Sequence, residues 1–400
     1  MSHVLVLVAP GQGAQTPGFL APWLEVPGFA DRLHRWSAVS GLDLVHYGTE
    51  ADADAIRDTA VAQPLLVAAG IAAAVALFPH PADAFKLVGA ASGHSVGEIT
   101  AAAGAGVISA ESALVLVRQR GLRMAEASAA TPTGMTAVLG GDPDEVLAKI
   151  AEHGLTPANI NGAGQIVAAG TLEQLAKFQD DPPAASRLRP LAVAGAFHTA
   201  HMAPAVDTLR QLATAVTTRD PRTRLISNAD GAVVHSGPEV LRRIVAQVSN
   251  PVRWDLCMET MRELGVTGIL EVPPAGTLTG LAKRALKGVE TFALKTPDDL
   301  DAARDFVAKH SENAAANSMD TAPSWRLVIA PHGGTVRKGG HVAGEVLERG
   351  AAVATVVARG DVHEIVVSHG GEILEWLVED GDPVAPGQPL LRIHPTGSFV

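Results

Sequence analysis

The stretch Gly93-His94-Ser95-Val96-Gly97, with Phe85-Lys86-Leu87-Val88 before it and an Ala-rich run over 98–105 after it, decides how this chain is read. The apolar residues 85–88 predict a strand and 98–105 predict a helix, so the pentapeptide fits the G-x-S-x-G turn between them. Its glycines allow a tight strand-to-helix turn that lifts the Ser95 hydroxyl into a cleft, with the amides of the helix start facing an oxyanion. The same five residues also suit a serine that only caps a helix. Other residues have to decide between the two.

Working outward, residues 4–309 alternate short apolar runs with helical patterns, the signature of a layered α/β unit. Within it, residues 131–191 read strand, helix, two paired strands, helix, strand, which predicts a ferredoxin-like insertion. The opening run Val4-Leu5-Val6-Leu7-Val8 has no basic residues before it and no small-residue cleavage site, so it reads as a buried strand and not as a signal peptide. The longest apolar run, 65–78, is shorter than the roughly 20 residues a bilayer span needs, and it reads as a core helix. Residues 310–325 lack aromatic residues over most of their length and hold no sustained period, which predicts a linker. From 326 to 400, short β-branched runs separated by glycines predict a small all-β domain. There 346–353 is echoed by 377–384, and two similar halves imply a pseudo-symmetric β-sandwich.

Composition narrows the function classes. A hydrophobic content of 47% against 18% charged residues excludes wholesale disorder. The single cysteine, Cys257, excludes an intramolecular disulfide and suits a reducing compartment, so a cytoplasmic protein is expected. A formal charge of -11 argues against nucleic acid as a partner, because phosphate binding needs a basic face. No membrane and no metal partner is expected.

A serine nucleophile needs a base, and His198 in Gly195-Ala196-Phe197-His198-Thr199 closes an apolar run downstream of it. Taken singly, one of fifteen histidines reads more readily as structural or solvated than as a base. Pro10-Gly11-Gln12-Gly13-Ala14-Gln15 follows the first strand, and its glycines let backbone N–H groups approach a ligand, as half of an oxyanion hole requires. It lacks the third glycine of a dinucleotide fingerprint and the Lys-Ser/Thr of a P-loop, which sets nucleotide binding aside.

Taken together, Gly11-Gln12-Gly13-Ala14-Gln15, Gln63-Pro64, Gly93 to Glu98, Arg120-Gly121, Asn159 to Gln165, Ala196-Phe197-His198, Gln247 to Trp254 and Thr277 to Leu281 resemble the malonyl-CoA:acyl carrier protein transacylases, the actinobacterial type in particular. The resemblance covers about 4–309. It implies an α/β-hydrolase-like acyltransferase core and ping-pong transfer of malonyl to the phosphopantetheine thiol of acyl carrier protein, for fatty acid or polyketide synthesis. Ser95 would be the nucleophile, His198 the base, and the Gln247 carbonyl the group that orients the imidazole. The Gln12 and Val96 amides would hold the oxyanion. Arg120 would read the malonyl carboxylate through a bidentate fork, its alternative being membership of a surface cluster with Arg118 and Arg123. Phe197 would crowd out an α-methyl branch, and His94, Asn161, Gln63, Gln165 and Met124 would line the cleft, each equally able to be a packing residue. Lys283-Arg284-Ala285-Leu286-Lys287 would offer a basic rim to the acidic carrier. Glu271-Val272-Pro273-Pro274-Ala275-Gly276 departs from the family's more glycine-rich turn. Two other readings stay open: an editing hydrolase using the same dyad, and a scaffold that docks through its C-terminal domain.

Residues 329–336 and 378–391 resemble a biotinyl/lipoyl carrier domain of the barrel-sandwich kind over about 326–395. Its modified lysine sits in a hairpin, where this chain aligns Ala358-Arg359-Gly360-Asp361, and the one lysine of the domain, Lys338, lies elsewhere. No biotin or lipoate is therefore expected, and no other covalent cofactor; the domain reads as a docking module with a possible protein partner, or as an appendage.

Overall fold

Leu5–Ala9 (β1) is apolar at every position and alternates between two cores, as a strand covered on both faces must. Leu5 and Ala9 point into one cluster, Val4, Val6 and Val8 into the other. The computed structural model describes residues 4–193, 195–311, 326–358, 360–368 and 370–395, and separates into two compact units, Met1–Ser318 and Met319–Val400.

In the first unit β1 pairs in parallel with β2 (Ala90–Gly93) on one side and β10 (Gly268–Glu271) on the other. The sheet extends to β7 (Arg224–Ile226) and β8 (Val233–Val234) beyond β2, and to β11 (Glu290–Ala293) beyond β10, giving the order β11-β10-β1-β2-β7-β8 with β8 alone antiparallel. The helix Thr59–Leu77 is buried over almost its whole circumference in the larger core. It is long and apolar enough to cross a bilayer, yet 83% of its apolar window is buried inside the protein, so its hydrophobicity serves packing.

Of residues 85–88, expected as the strand before the elbow, Phe85 to Leu87 belong instead to the helix Pro81–Leu87 and Val88 caps it, and the strand is Ala90–Gly93. Its four small residues carry no β-propensity; their place is set by close packing between β1 and β7.

The insertion forms a second sheet. Its strands are β3 (Thr133–Gly140), β4 (Thr156–Gly162), β5 (Gln165–Thr171) and β6 (Ser186–Pro190), ordered β6-β3-β5-β4 with antiparallel neighbours. The helices Pro143–Glu152 and Leu172–Asp180 add Val146, Ile150 and Phe178 to its core, as the βαββαβ reading requires. A fifth strand, β9 (Val252–Arg253), was not foreseen. It pairs in parallel with β4 and thereby ties the segment after Gln247 to Asn159 and Ile160.

His310, the first residue of the expected linker 310–325, is not linker. His310 ends the helix Leu300–His310, buried with its ring 4.4 Å from that of Phe306 and Nδ1 3.0 Å from Thr267 Oγ1. Residues 312–325 lie outside the described residues.

The second unit contains β12 (Arg326–Ile329), β13 (Gly334–Lys338), β14 (Val346–Leu347), β15 (Ala352–Ala358), β16 (Asp361–Val366), β17 (Gly371–Trp376), β18 (Pro383–Val384) and β19 (Pro389–Pro395). They make two sheets, β12-β19-β17-β14 and β16-β15-β13-β18, around one apolar core. Exchanging β12 to β15 for β16 to β19 turns one order into the other, so the two halves are related by a pseudo-twofold. The repeat sets Leu347 against Val384 and not, as the sequence echo had it, 346 against 377. The turn glycines carry this register: Gly344 and Gly381 have φ of 88° and 94°, Gly350 and Gly387 of 88° and 81°.

Candidate active site

The turn between β2 and the helix Gly97–Gly104 tolerates only glycine at its ends. A Cβ on Gly93 would lie 1.9 Å from the Gly97 carbonyl carbon, and one on Gly97 would lie 2.2 Å from Ala9 O. Ser95 sits between them at φ 55°, a left-handed backbone that few serines adopt. Its N–H donates to Asn228 Oδ1 at 2.8 Å, and Asn228 Nδ2 donates to Gly93 O at 2.8 Å, so one side chain braces both sides of the turn.

His198 also has a left-handed backbone, φ 61°. Its Nε2 lies 2.7 Å from Ser95 Oγ and its Nδ1 2.8 Å from the carbonyl of Gln247. Gln247 is the last residue of the helix Gly237–Gln247, where carbonyls have no intrahelical partner and are free to accept. This fixes the tautomer: Nδ1–H donates to Gln247, and Nε2 keeps a lone pair for the serine proton. Burial, with the Arg120 cation adding to it, pushes the imidazole down to about 3. At neutral pH the ring is an uncharged base.

Arg120 projects from the helix Ala110–Ala130 and is 1% exposed. Its Nη1 donates to Gln63 Oε1 at 2.6 Å, and its Nη2 to Gln247 Oε1 at 3.0 Å and Ser95 Oγ at 3.3 Å. Its Nε has no partner among the described residues. Among the described residues no carboxylate touches this guanidinium, and burial lowers it to about 10 with Glu98 opposing. The surface-cluster alternative fails because Arg120 is buried, whereas Arg118 donates to Ala60 O and Arg123 pairs with the exposed Glu126. Gly121 explains how Arg120 reaches Gln63. A Cβ there would lie 2.8 Å from Thr59 O, so its absence lets the two helices approach closely.

The remaining expected residues fall into two groups. His94 lies beside the serine with Nε2 2.8 Å from Asn161 Oδ1 on β4 and its ring edge-on to Trp254 at 5.6 Å, and burial lowers its pKa. A Cβ on Gly11 would come 3.0 Å from His94 O, which places the loop after β1 against the elbow. Gln12 anchors that loop by donating from Nε2 to Arg57 O at 3.1 Å. Val96 is the buried N-cap of the helix Gly97–Gly104, Phe197 is buried next to His198, and Gln63 donates to Met124 Sδ at 3.4 Å. Gln165 stands apart, at the start of β5 in a concavity with Gly140, Arg187 and Arg284.

Two residues of the site were not foreseen. Glu98 is buried at the start of the elbow helix; it accepts from Asn228 N at 2.7 Å and from Gln247 Nε2. Asn228 accepts from Ser95 N and from Gln247 Nε2 at 3.1 Å. An acid in the otherwise apolar Gly97–Gly104 was a signal; Asn228, inside Ser227-Asn228-Ala229-Asp230-Gly231, reads only as a turn. An apolar cavity of about 230 Å³ between the helices Thr59–Leu77 and Gly97–Gly104 is lined by neither Ser95 nor His198. Among the described residues no group of three or more His, Cys, Asp or Glu is arranged to hold a metal ion.

Residues 6–317 match the family described as acyl transferase domain. The chain belongs to the acyl transferase family. The malonyl CoA-acyl carrier protein transacylase of Mycobacterium tuberculosis is 53% identical over 298 residues, 74% of this chain and 98% of that protein. The Bacillus subtilis protein of the same name is 32% identical over 327 residues, 78% of this chain and 100% of its own length. The crystal structure of MCAT from Mycobacterium tuberculosis aligns with a TM-score of 0.73 at 53% identity, covering 76% of this chain and all of that one. A malonyl-transacylase in complex with its type II PKS acyl-carrier protein aligns at 0.70 and 31%, covering 76% and 99%. For an acyl transferase the arrangement is chemically sufficient: a hydroxyl, a neutral base hydrogen-bonded to it, a fixed acceptor behind the base, and a buried cation beside the nucleophile.

Proposed function

We propose that this acyl transferase moves a malonyl group from malonyl-CoA to the phosphopantetheine thiol of an acyl carrier protein through a malonyl ester on Ser95. The observation that carries the reading is the Arg120 guanidinium, buried without a carboxylate partner, its Nε unpaired, 3.3 Å from the serine oxygen. A buried cation with an open donor is stabilised by a substrate that brings its own carboxylate, and malonyl does.

Ser95 Oγ attacks the thioester carbonyl while its proton passes to His198 Nε2. The oxyanion collapses, the C–S bond breaks, and His198 returns the proton to the departing CoA sulfur. The carrier's thiol then gives its proton to His198, its sulfur attacks the malonyl ester, and Ser95 leaves with that proton restored. The backbone amides of Gln12 and Val96 stabilise each oxyanion, and Phe197 narrows the space beside the α-carbon. His94 and Asn161 wall the cleft and Gln63 steadies Arg120. A cytoplasmic role in fatty acid or polyketide synthesis fits this reaction, with Lys283-Arg284-Ala285-Leu286-Lys287 as the rim we assign to the acidic carrier.

We assign 1–310 to this activity, with the subdomain at 131–191, the segment between His310 and residue 326 to a linker, and 326–400 to a biotinyl/lipoyl-like barrel-sandwich that carries no group. The pseudo-twofold supports that likeness. At the turn from β15 to β16 stands Gly360, φ 95°, beside Arg359, which lies outside the described residues; Lys338 is on β13, its Nζ 4.9 Å from the Trp376 ring centre. A docking role for a protein partner fits this unit.

Intact-mass measurement tests both parts. The purified protein shows the bare polypeptide mass, gains one malonyl group on exposure to malonyl-CoA, and gains nothing in Ser95→Ala. Added carrier protein then takes up the group. Appearance of free malonate in its place would support the editing hydrolase, and no adduct in the wild type would end the proposal.

A further inference from the structure

The side chain of Gln247 joins Arg120 to a buried acid, and we propose that Glu98 acts through this amide as a positioning residue that holds the guanidinium ready for a substrate carboxylate and so sets the preference for malonyl over neutral acyl groups. The inference rests on the role given to Arg120 above.

A primary amide has an accepting end and a donating end, and its orientation is decided by what faces each. Gln247 Oε1 accepts from Arg120 Nη2 at 3.0 Å, while Nε2 donates to Glu98 and to Asn228 Oδ1 at 3.1 Å. Turning the amide over would set its NH₂ against the guanidinium and its oxygen against the carboxylate, two repulsive contacts in a site closed to water. Glu98 therefore fixes which end Arg120 meets. The other side-chain amide on Arg120 is held less firmly: among the described residues Gln63 Nε2 meets only the sulfur of Met124, a weak acceptor. Glu98 itself is held by donors on both oxygens, Gln247 Nε2 on one and Asn228 N on the other, with Ser227 also bonding it.

The amide between the two charges has a further effect. A carboxylate in direct contact with Arg120 would occupy its donors and compete with the substrate. One amide away, Glu98 opposes the buried positive charge while leaving Nε without a partner among the described residues. The site is compensated enough to fold and still open to an anion.

The test is the ratio of kcat/KM for malonyl-CoA to that for acetyl-CoA. Burial pushes Glu98 up to about 7 while Asn228, Arg120 and Arg243 draw it down, so the assay is run on the alkaline side of that value. Glu98→Gln keeps the acceptor for Asn228 N and loses the one for Gln247; Gln247→Met removes the amide and keeps the carbonyl that orients His198. Each lowers the malonyl-to-acetyl ratio by about ten-fold or more, with KM for malonyl-CoA rising, and the double variant does no worse than the worse single because both cut the same chain. Equal falls for the two substrates, or an unchanged ratio, would overturn the proposal; if Glu98→Gln does not fold, Gln247→Met carries the test. Arg120→Ala separates the layers. If it leaves the ratio unchanged, the role of Arg120 fails; if it collapses the ratio while Glu98→Gln and Gln247→Met preserve it, only the role of Glu98 fails.

Discussion

Ser95 Oγ lies 2.7 Å from His198 Nε2, and both residues hold left-handed backbones. Non-glycine residues rarely stay in that region unless the surroundings enforce it. Here the enforcement is visible: Asn228 clamps the serine turn, and His198 N–H donates to Val248 O at 3.2 Å while Nδ1 reaches Gln247 O. His198→Ala should slow acylation of Ser95 by about 10² to 10⁴ with the circular dichroism spectrum unchanged. Stopped-flow release of CoA measures it, and an effect below ten-fold would mean that another group accepts the proton.

Arg120 offers a second quantity to measure. Removing it with Arg120→Ala should withdraw about 2 to 5 kcal/mol of transition-state stabilisation for malonyl-CoA and leave acetyl-CoA relatively favoured. Arg120→Lys should not restore the preference, since an ammonium cannot satisfy Gln63, Gln247 and a carboxylate together from one point. Steady-state kinetics on the two thioesters decides. A lysine variant with wild-type selectivity would show that charge alone suffices.

Ser95, His198 and Arg120 could be singled out in the sequence through the family resemblance of the motifs that hold them, and in two of those motifs the glycines are sterically forced: Gly93 and Gly97 around Ser95, Gly121 beside Arg120. The strand before the elbow was not legible. Ala90–Gly93 is made of small residues with no strand signal, while 85–88 mimic a strand and instead end a helix at Leu87. Glu98, Asn228 and Gln247 meet across separations of up to 149 residues, and a hydrogen-bond chain assembled by tertiary packing leaves no local pattern. The same holds for β9, two residues long, which joins the insertion's sheet only through β4. In the second unit the halves were legible and their register was not, because turns with similar glycines recur at more than one spacing.

Two buried groups oppose each other in the pH dependence of stability. His198 titrates near 6.5 unfolded and about 3 folded, so between those values the unfolded chain holds the extra proton and stability rises with pH. Glu98 titrates near 4.5 unfolded and about 7 folded; there the folded chain holds the extra proton and stability falls with pH. From 4.5 to 6.5 the two slopes cancel. Glu98→Gln removes the second, so its unfolding free energy relative to wild type should climb by about 1.4 kcal/mol per pH unit across that window. Urea titrations at several pH values measure the difference, and parallel curves would show that one of the two groups is not shifted as described.

Gly97→Ala tests whether the elbow's geometry is steric and not merely flexible. The added Cβ would lie 2.2 Å from Ala9 O and 2.9 Å from Ala9 C and Pro10 O, all backbone, so no side chain can swing away to make room. Relief requires parting β1 from the turn, which would move the loop carrying Gln12 along with Ser95. We expect a loss of about 3 kcal/mol or more in unfolding free energy, at the upper end for overpacking, together with loss of the malonyl adduct. Gly104→Ala, in the same helix with nothing within 4 Å of its Cβ, is the control and should be neutral or slightly stabilising. If the two alanine variants unfold at the same urea concentration, the close approach of β1 to the elbow does not hold in solution.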